Sequence, residues 1–208
     1  MTSRNFLYQL IREERGAGAA EFALVIPVML LFLFGIMDAG WFAWQINQAE
    51  KATQMGARMA VVTDPVASGL STKEYVGEVV GGVTLGQGDI IPAAALGVIQ
   101  CNSTSCTCAT APCPGTLGFD SAAFTRIANR MAAMYPLITP ANVLVEYRGS
   151  GLGFAGDPSG MEIAPLTTVK VRNLQYTPFT FMLIDQKISL PSFAYTLTME
   201  DGSGTVSN

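Results

Sequence analysis

The sequence predicts an α+β chain in which a long N-terminal transmembrane and amphipathic α-helix is followed by a small antiparallel-sheet domain. Three observations predict it: the apolar run FALVIPVMLLFLFGIM at 22–37, a helical-period segment that continues it to about Val62, and three β-branched, aromatic-rich segments in the last third. Composition agrees, because 50% of the 208 residues are apolar and only 13% are charged, against roughly 25% charged in an ordinary soluble domain. The length suits one domain plus an anchor. A net charge of −4 leaves no basic footprint for nucleic acid, whose phosphates require clustered Lys and Arg. The absence of histidine removes Ser-His-Asp, Cys-His and His-ligated metal chemistry.

The apolar run resumes after Asp38 as AGWFAW. From Phe22 to Ile46 the segment reaches roughly 37 Å as a helix at about 1.5 Å per residue, enough to cross a hydrocarbon core of about 30 Å with some tilt. Pro27 lies early in the span, where a bend is tolerated. Arg4, Arg12 and Arg15 precede it, so the positive-inside rule keeps the N-terminus cytoplasmic and sends the rest outward. The apolar core is too long for an ordinary cleaved secretory signal and runs directly into an amphipathic helix. Glu21 stands at the threshold of the span. There it is favoured by the helix macrodipole, or it awaits a cation from a neighbouring subunit. Asp38 falls inside the apolar run, where an unpaired carboxylate costs from about 2.5 kcal/mol upward, so it requires a partner, neutralisation or a place at the outer interface. Gly35, Ala39 and Ala43 form a stripe at i, i+4 and i+8 that admits a second helix closely, and Asp38 borders it. Beyond the span, Ala49, Thr53, Gly56 and Ala60 share a small-residue face, suited either to other subunits or to the chain's own domain. Thr63-Asp64-Pro65 ends the helix.

Residues 66–118 are poor in charge and rich in Gly, Ser, Thr and Pro, with a helix candidate at Thr72–Val80 and a strand around Ile90–Ile99. The segment CNSTSCTCATAPC carries Cys101, Cys106, Cys108 and Cys113 in a loop over 101–113. Four cysteines outside a membrane imply two disulfides, which staple a loop too apolar-poor to hold itself or shape a contact tip. The spacing and the lack of histidine argue against zinc. Of the three connectivities, the one that joins Cys106 to Cys108 is disfavoured by geometry, and the other two stay open. Asp120 or Ser121 caps a helix running to about Met134, with Phe124, Ile127, Met131 and Met134 on its core face. NVLVEYR, PLTTVKVRNLQY and LPSFAYTLTMED read as three antiparallel strands, with Val169 and Val171 on a buried face opposite Lys170 and Arg172. The Gly-rich stretch 149–160 lies between strands and is a loop, not a phosphate cradle. An enzyme would require a carboxylate pair or a Ser-Lys dyad. Glu146, Asp157 and Glu162 are scattered without such a frame, so no catalytic residue, cofactor or metal is expected.

The threshold of the span carries a further pattern. Gly16, Ala17, Gly18, Ala19 and Ala20 precede Glu21 and Phe22, an arrangement that resembles the leader of type IV prepilins, which are cut after a glycine and carry glutamate as the fifth mature residue. The pair Glu21-Phe22 is similar to the Glu-Tyr pair of Flp pilins. The run from Glu21 to Ala60, with Pro27 early and Gly56, Ala57, Arg58 and Ala60 at its end, resembles the TadE-like minor pilins or pseudopilins of tight-adherence systems. It departs from the commoner form at Asp38 and the Trp-rich stretch, so no role is carried over to Asp38. The resemblance covers about residues 16–60. It implies a cytoplasmic leader at 1–16, a transmembrane and amphipathic helix at 17–63, and a pilin-like periplasmic α+β domain at 64–208. It also implies cleavage between Gly16 and Ala17 by a prepilin peptidase, and docking through Glu21 and Phe22. The expected partners are that peptidase, other pilins or pseudopilins, pilus assembly proteins and the inner membrane, with no nucleic acid; in an assembled pilus the chain would reach the cell surface. The alternative is a signal-anchored envelope protein with an adhesive or binding outer domain, which keeps its leader and tolerates Glu21→Ala.

Overall fold

The computed structural model describes residues 17–181, 186–199 and 202–205; the expected leader, Gly16 included, lies outside them. The chain divides into two compact units, Met1–Trp44 with Tyr176–Ile188, and Gln45–Gln175 with Ser189–Asn208. Helix α1, Ala17–Val62, contributes to both and runs without interruption through Pro27.

In the first unit the apolar half of α1 leaves its side chains uncovered: Leu24, Met29, Leu31, Phe32 and Ile36 are all more than half exposed. Among the described residues α1 is the one helix long and apolar enough to cross a membrane, with a mean hydropathy of 2.4 over its most apolar stretch, none of which is buried. A soluble core helix of that composition would bury this surface, so α1 is a candidate membrane anchor.

The second unit is built on a five-stranded antiparallel sheet of order β4-β3-β5-β6-β9, with β3 at Val98–Cys101, β4 at Cys106–Thr110, β5 at Val143–Arg148, β6 at Leu166–Val171 and β9 at Phe193–Thr198. Short ribbons pair β1 (Val79–Val80) with β2 (Val83–Thr84), and β7 (Gln175–Tyr176) with β8 (Ile188–Ser189). Directly opposed residues share a sheet face, and the pairs Ile99↔Tyr147, Cys101↔Val145, Val145↔Val169 and Val143↔Val171 define the inner one. Those residues are buried. The opposite face carries a polar cluster in which Glu146 accepts from Gln100 Nε2 at 2.9 Å and Lys170 Nζ at 2.8 Å. Burial acts to raise the Glu146 carboxyl, but these hydrogen bonds together with the charges of Lys170 and Arg148 outweigh it and hold the group below the usual carboxylate range.

Helix α2, Ser121–Met134, is capped by Asp120, whose Oδ1 accepts from the amides of Ala122 and Ala123 at 2.8 and 2.9 Å. Phe124, Ile127 and Met131 are buried, while Met134 is 41% exposed and stands outside the core face expected for it; the helix ends there and Tyr135 takes the buried place instead. The two helices meet where Met131 lies against Gly56, at which a Cβ would stand 2.5 Å from the Met131 sulfur. Tyr147 reaches across the inner face to accept from the Val66 amide at 2.9 Å, and Asp64, just past the end of α1, is paired with Arg126 at 3.2 Å.

Three local expectations are corrected. Thr72–Val80 is not helical: Tyr75 is buried, its amide donates to Glu162 Oε2 at 2.8 Å, and Gly77 adopts φ +84°, which terminates any helix. The Cys-rich stretch is a β-hairpin at the sheet edge rather than a loop, because the Asn102 side chain accepts from the Thr104 and Ser105 amides and closes a tight turn. The sheet therefore has five strands, not three. Within 90–99 only Ile90, bridged to Phe154, and the start of β3 are extended pairs.

Candidate functional site: the apolar half of the N-terminal helix

Glu21 and Phe22 lie on the exposed surface of α1, Phe22 at 67% exposure. They lie one turn beyond Ala17, the first described residue of the helix. Gly35, Ala39 and Ala43 are also exposed, and no atom of another element approaches the place where a Gly35 Cβ would stand. At Gly35 and Ala39 the stripe forms one wall of a groove. Gly56, by contrast, is buried against Met131 of the second unit, and Ala49, Thr53 and Ala60 are buried with it. This small-residue face packs on the chain's own domain.

Asp38 departs from its neighbours. It is 9% exposed on a stretch of helix that is otherwise bare. The segment Tyr176–Ile188, in the same compact unit, supplies its partners: Asp38 Oδ1 accepts from Tyr176 Oη at 3.1 Å and from the Phe179 amide at 2.7 Å, and Oδ2 accepts from the Thr180 amide at 2.9 Å and Thr180 Oγ1 at 2.6 Å. The local sequence explains the donors. Phe179–Phe181 forms a single 3-10 turn directly after Pro178, and the first amides of such a turn have no partner within it. A carboxylate satisfies two of them at once, through charge-assisted bonds stronger than neutral ones. Phe42 adds a ring contact to Tyr176, with centroids 5.7 Å apart. A shallow apolar groove is left between this arm and the helix, lined by Gly35, Asp38, Ala39, Phe42, Tyr176 and Ile188. Asp38 thus has a partner, and that partner belongs to its own chain.

Tyr176, Phe179 and Thr180 carry no sequence signal that links them to Asp38, because they stand about 140 residues away in the chain. The one usable signal is the requirement that a carboxylate in an apolar span find donors.

The cysteines pair as Cys101–Cys106 and Cys108–Cys113, one of the two connectivities left open by the spacing. Cys101 and Cys106 are register partners in β3 and β4. Among the described residues no three His, Cys, Asp or Glu side chains gather so as to hold a metal.

The geometry is that of a candidate membrane anchor, an exposed apolar helix, leading into a small α+β domain. Residues 16–58 match the model of the family described as TadE-like protein, so this segment is a TadE-like domain. No curated protein and no solved structure matches the chain.

Proposed function

We propose that the chain is a minor pilin or pseudopilin that acts in assembly of a tight-adherence pilus. The observation that carries this reading is the TadE-like domain at 16–58, which points to a tight-adherence pilus system. The bare apolar half of α1 supports it physically, since that surface requires lipid or the helices of other subunits. A prepilin peptidase would cut after Gly16, leaving Ala17 as the new N-terminus and Glu21 as the fifth residue. Glu21 and Phe22, exposed at the start of α1, would dock the subunit among other pilins and assembly proteins. In the inner membrane the N-terminus would face the cytoplasm and the α+β domain the periplasm. The role is structural, with no catalysis and no cofactor.

Intact-mass and N-terminal analysis of the protein from its native membrane, with and without the cell's prepilin peptidase, tests the reading. A mature chain beginning at Ala17 only in the presence of the peptidase is the expected result. Retention of residues 1–16 in both cases overturns the processing step and favours the signal-anchored envelope protein. On the pilin reading, Glu21→Ala abolishes surface piliation while the protein remains in the membrane, as scored by pilus counts and membrane immunoblots.

A further inference from the structure

The arm that begins at Tyr176 is held at one level along α1. Its hydrogen bonds fix it to Asp38, which stands about 26 Å along the helix from Glu21 at about 1.5 Å per residue. A hydrocarbon core measures about 30 Å. With Glu21 at the inner boundary, Asp38 and the arm it holds fall just inside the outer boundary. The helix confirms that level independently: Trp41 and Trp44 stack with ring centroids 4.6 Å apart and remain 42% and 44% exposed, as expected of the aromatic belt where a span leaves the membrane.

The arm itself turns apolar side chains outward, with Phe179 53% and Ile188 39% exposed. Its sequence, YTPFTFMLIDQKI, carries only Asp185 and Lys187 as charges, of opposite sign and close together. Asp38 is fully hydrogen-bonded, so the arm's attachment places no unpaired carboxylate in hydrocarbon.

We propose that the described residues of this arm, 176–180 and 186–188, are a second membrane-contacting element, whose partner is phospholipid at the outer boundary of the bilayer crossed by α1. The proposal rests on the reading of α1 as a membrane span. The arm widens the anchor at one level, with Phe179 and Ile188 entering the region between headgroups and acyl chains, about 5–10 Å deep, and the Asp38 bonds hold it at that depth.

The test uses full-length protein in phosphatidylcholine vesicles containing lipids brominated either near the headgroup or near the acyl-chain end. The chain's two tryptophans report first. Then Phe179→Trp and, separately, Ile188→Trp are made in a protein with Trp41→Phe and Trp44→Phe. The expected result is that the new tryptophan loses more fluorescence to the shallow bromolipid than to the deep one, as Trp41 and Trp44 do. If Trp41 and Trp44 are quenched but both arm tryptophans are not, the span stands and the arm proposal falls. If arm quenching disappears as the protein-to-lipid ratio rises, a second copy of the chain covers the arm and the lipid assignment is overturned. If none of the tryptophans is quenched, the span reading fails and the arm with it.

Discussion

Asp38, Asp120 and Gly56 show how single residues act through groups the chain brings to them. Asp38 converts an expensive charge into an attachment point by accepting four hydrogen bonds from Tyr176, Phe179 and Thr180. Hydrogen bonds to a charged group contribute about 1.5–3 kcal/mol each. Asp38→Ala therefore accelerates amide hydrogen exchange at Phe179 and Thr180 by at least about tenfold, which corresponds to ~1.4 kcal/mol; unchanged exchange would show that the carboxylate does not hold the arm. Asp120 caps α2 through two amides, and Asp120→Ala lowers unfolding free energy by about 1 kcal/mol in a denaturant titration. Gly56 allows Met131 to lie against α1. Gly56→Leu overpacks that contact and costs about 1–3 kcal/mol, an effect relieved by adding Met131→Ala if the contact is the cause.

Elements differ in how far their own residues specify them. Helix α2 is legible from Asp120 and the spacing of Phe124, Ile127 and Met131, because cap and periodicity are local. Strands β5 and β6 are legible from alternation for the same reason. The β3–β4 hairpin was legible only in part: the strand expected around Ile90–Ile99 overlaps the start of β3, while β4 is polar and small and its pairing depends on the Asn102 turn. Each disulfide closes a short loop of sequence separation 5, and removing Cys101–Cys106 by a double Cys→Ser change costs about 2 kcal/mol on the chain-entropy account, readable as a lowered melting temperature. On the outer sheet face, Glu146 links β3, β5 and β6 through Gln100 and Lys170. Its carboxyl is lowered from the ordinary 4.5 in the folded protein, so its contribution is whole above pH 4.5 and is lost as the pH falls through the depressed folded value. Glu146→Gln flattens that acid limb in a pH series of unfolding midpoints.

At the scale of the whole molecule, the two compact units have opposite surface chemistry. The unit that contains the apolar half of α1 leaves most of its large hydrophobic side chains exposed, while the unit around the sheet gathers a buried core that includes Ile99, Ile127, Val145, Tyr147 and Val169. A protein that carries out a membrane or assembly role through α1 requires the first and is stabilised by the second. Extraction with alkaline carbonate leaves the full-length chain in the membrane pellet if α1 is its anchor; release into the supernatant would count against the span.

The sequence by itself determined the α+β class, the long apolar helix with its end at Thr63-Asp64-Pro65, the helix that starts at Asp120-Ser121 and the TadE-like resemblance of the N-terminal segment. These are written in contiguous residues, as hydrophobic period, capping chemistry and motif order. Only the tertiary structure decided that Asp38 binds its own chain's arm, that Gly56 faces Met131, and that Cys101 pairs with Cys106 on neighbouring strands. Each of those depends on groups brought together by chain folding, and hydrogen-bond donors 140 residues away leave no periodic trace beside the acceptor they satisfy.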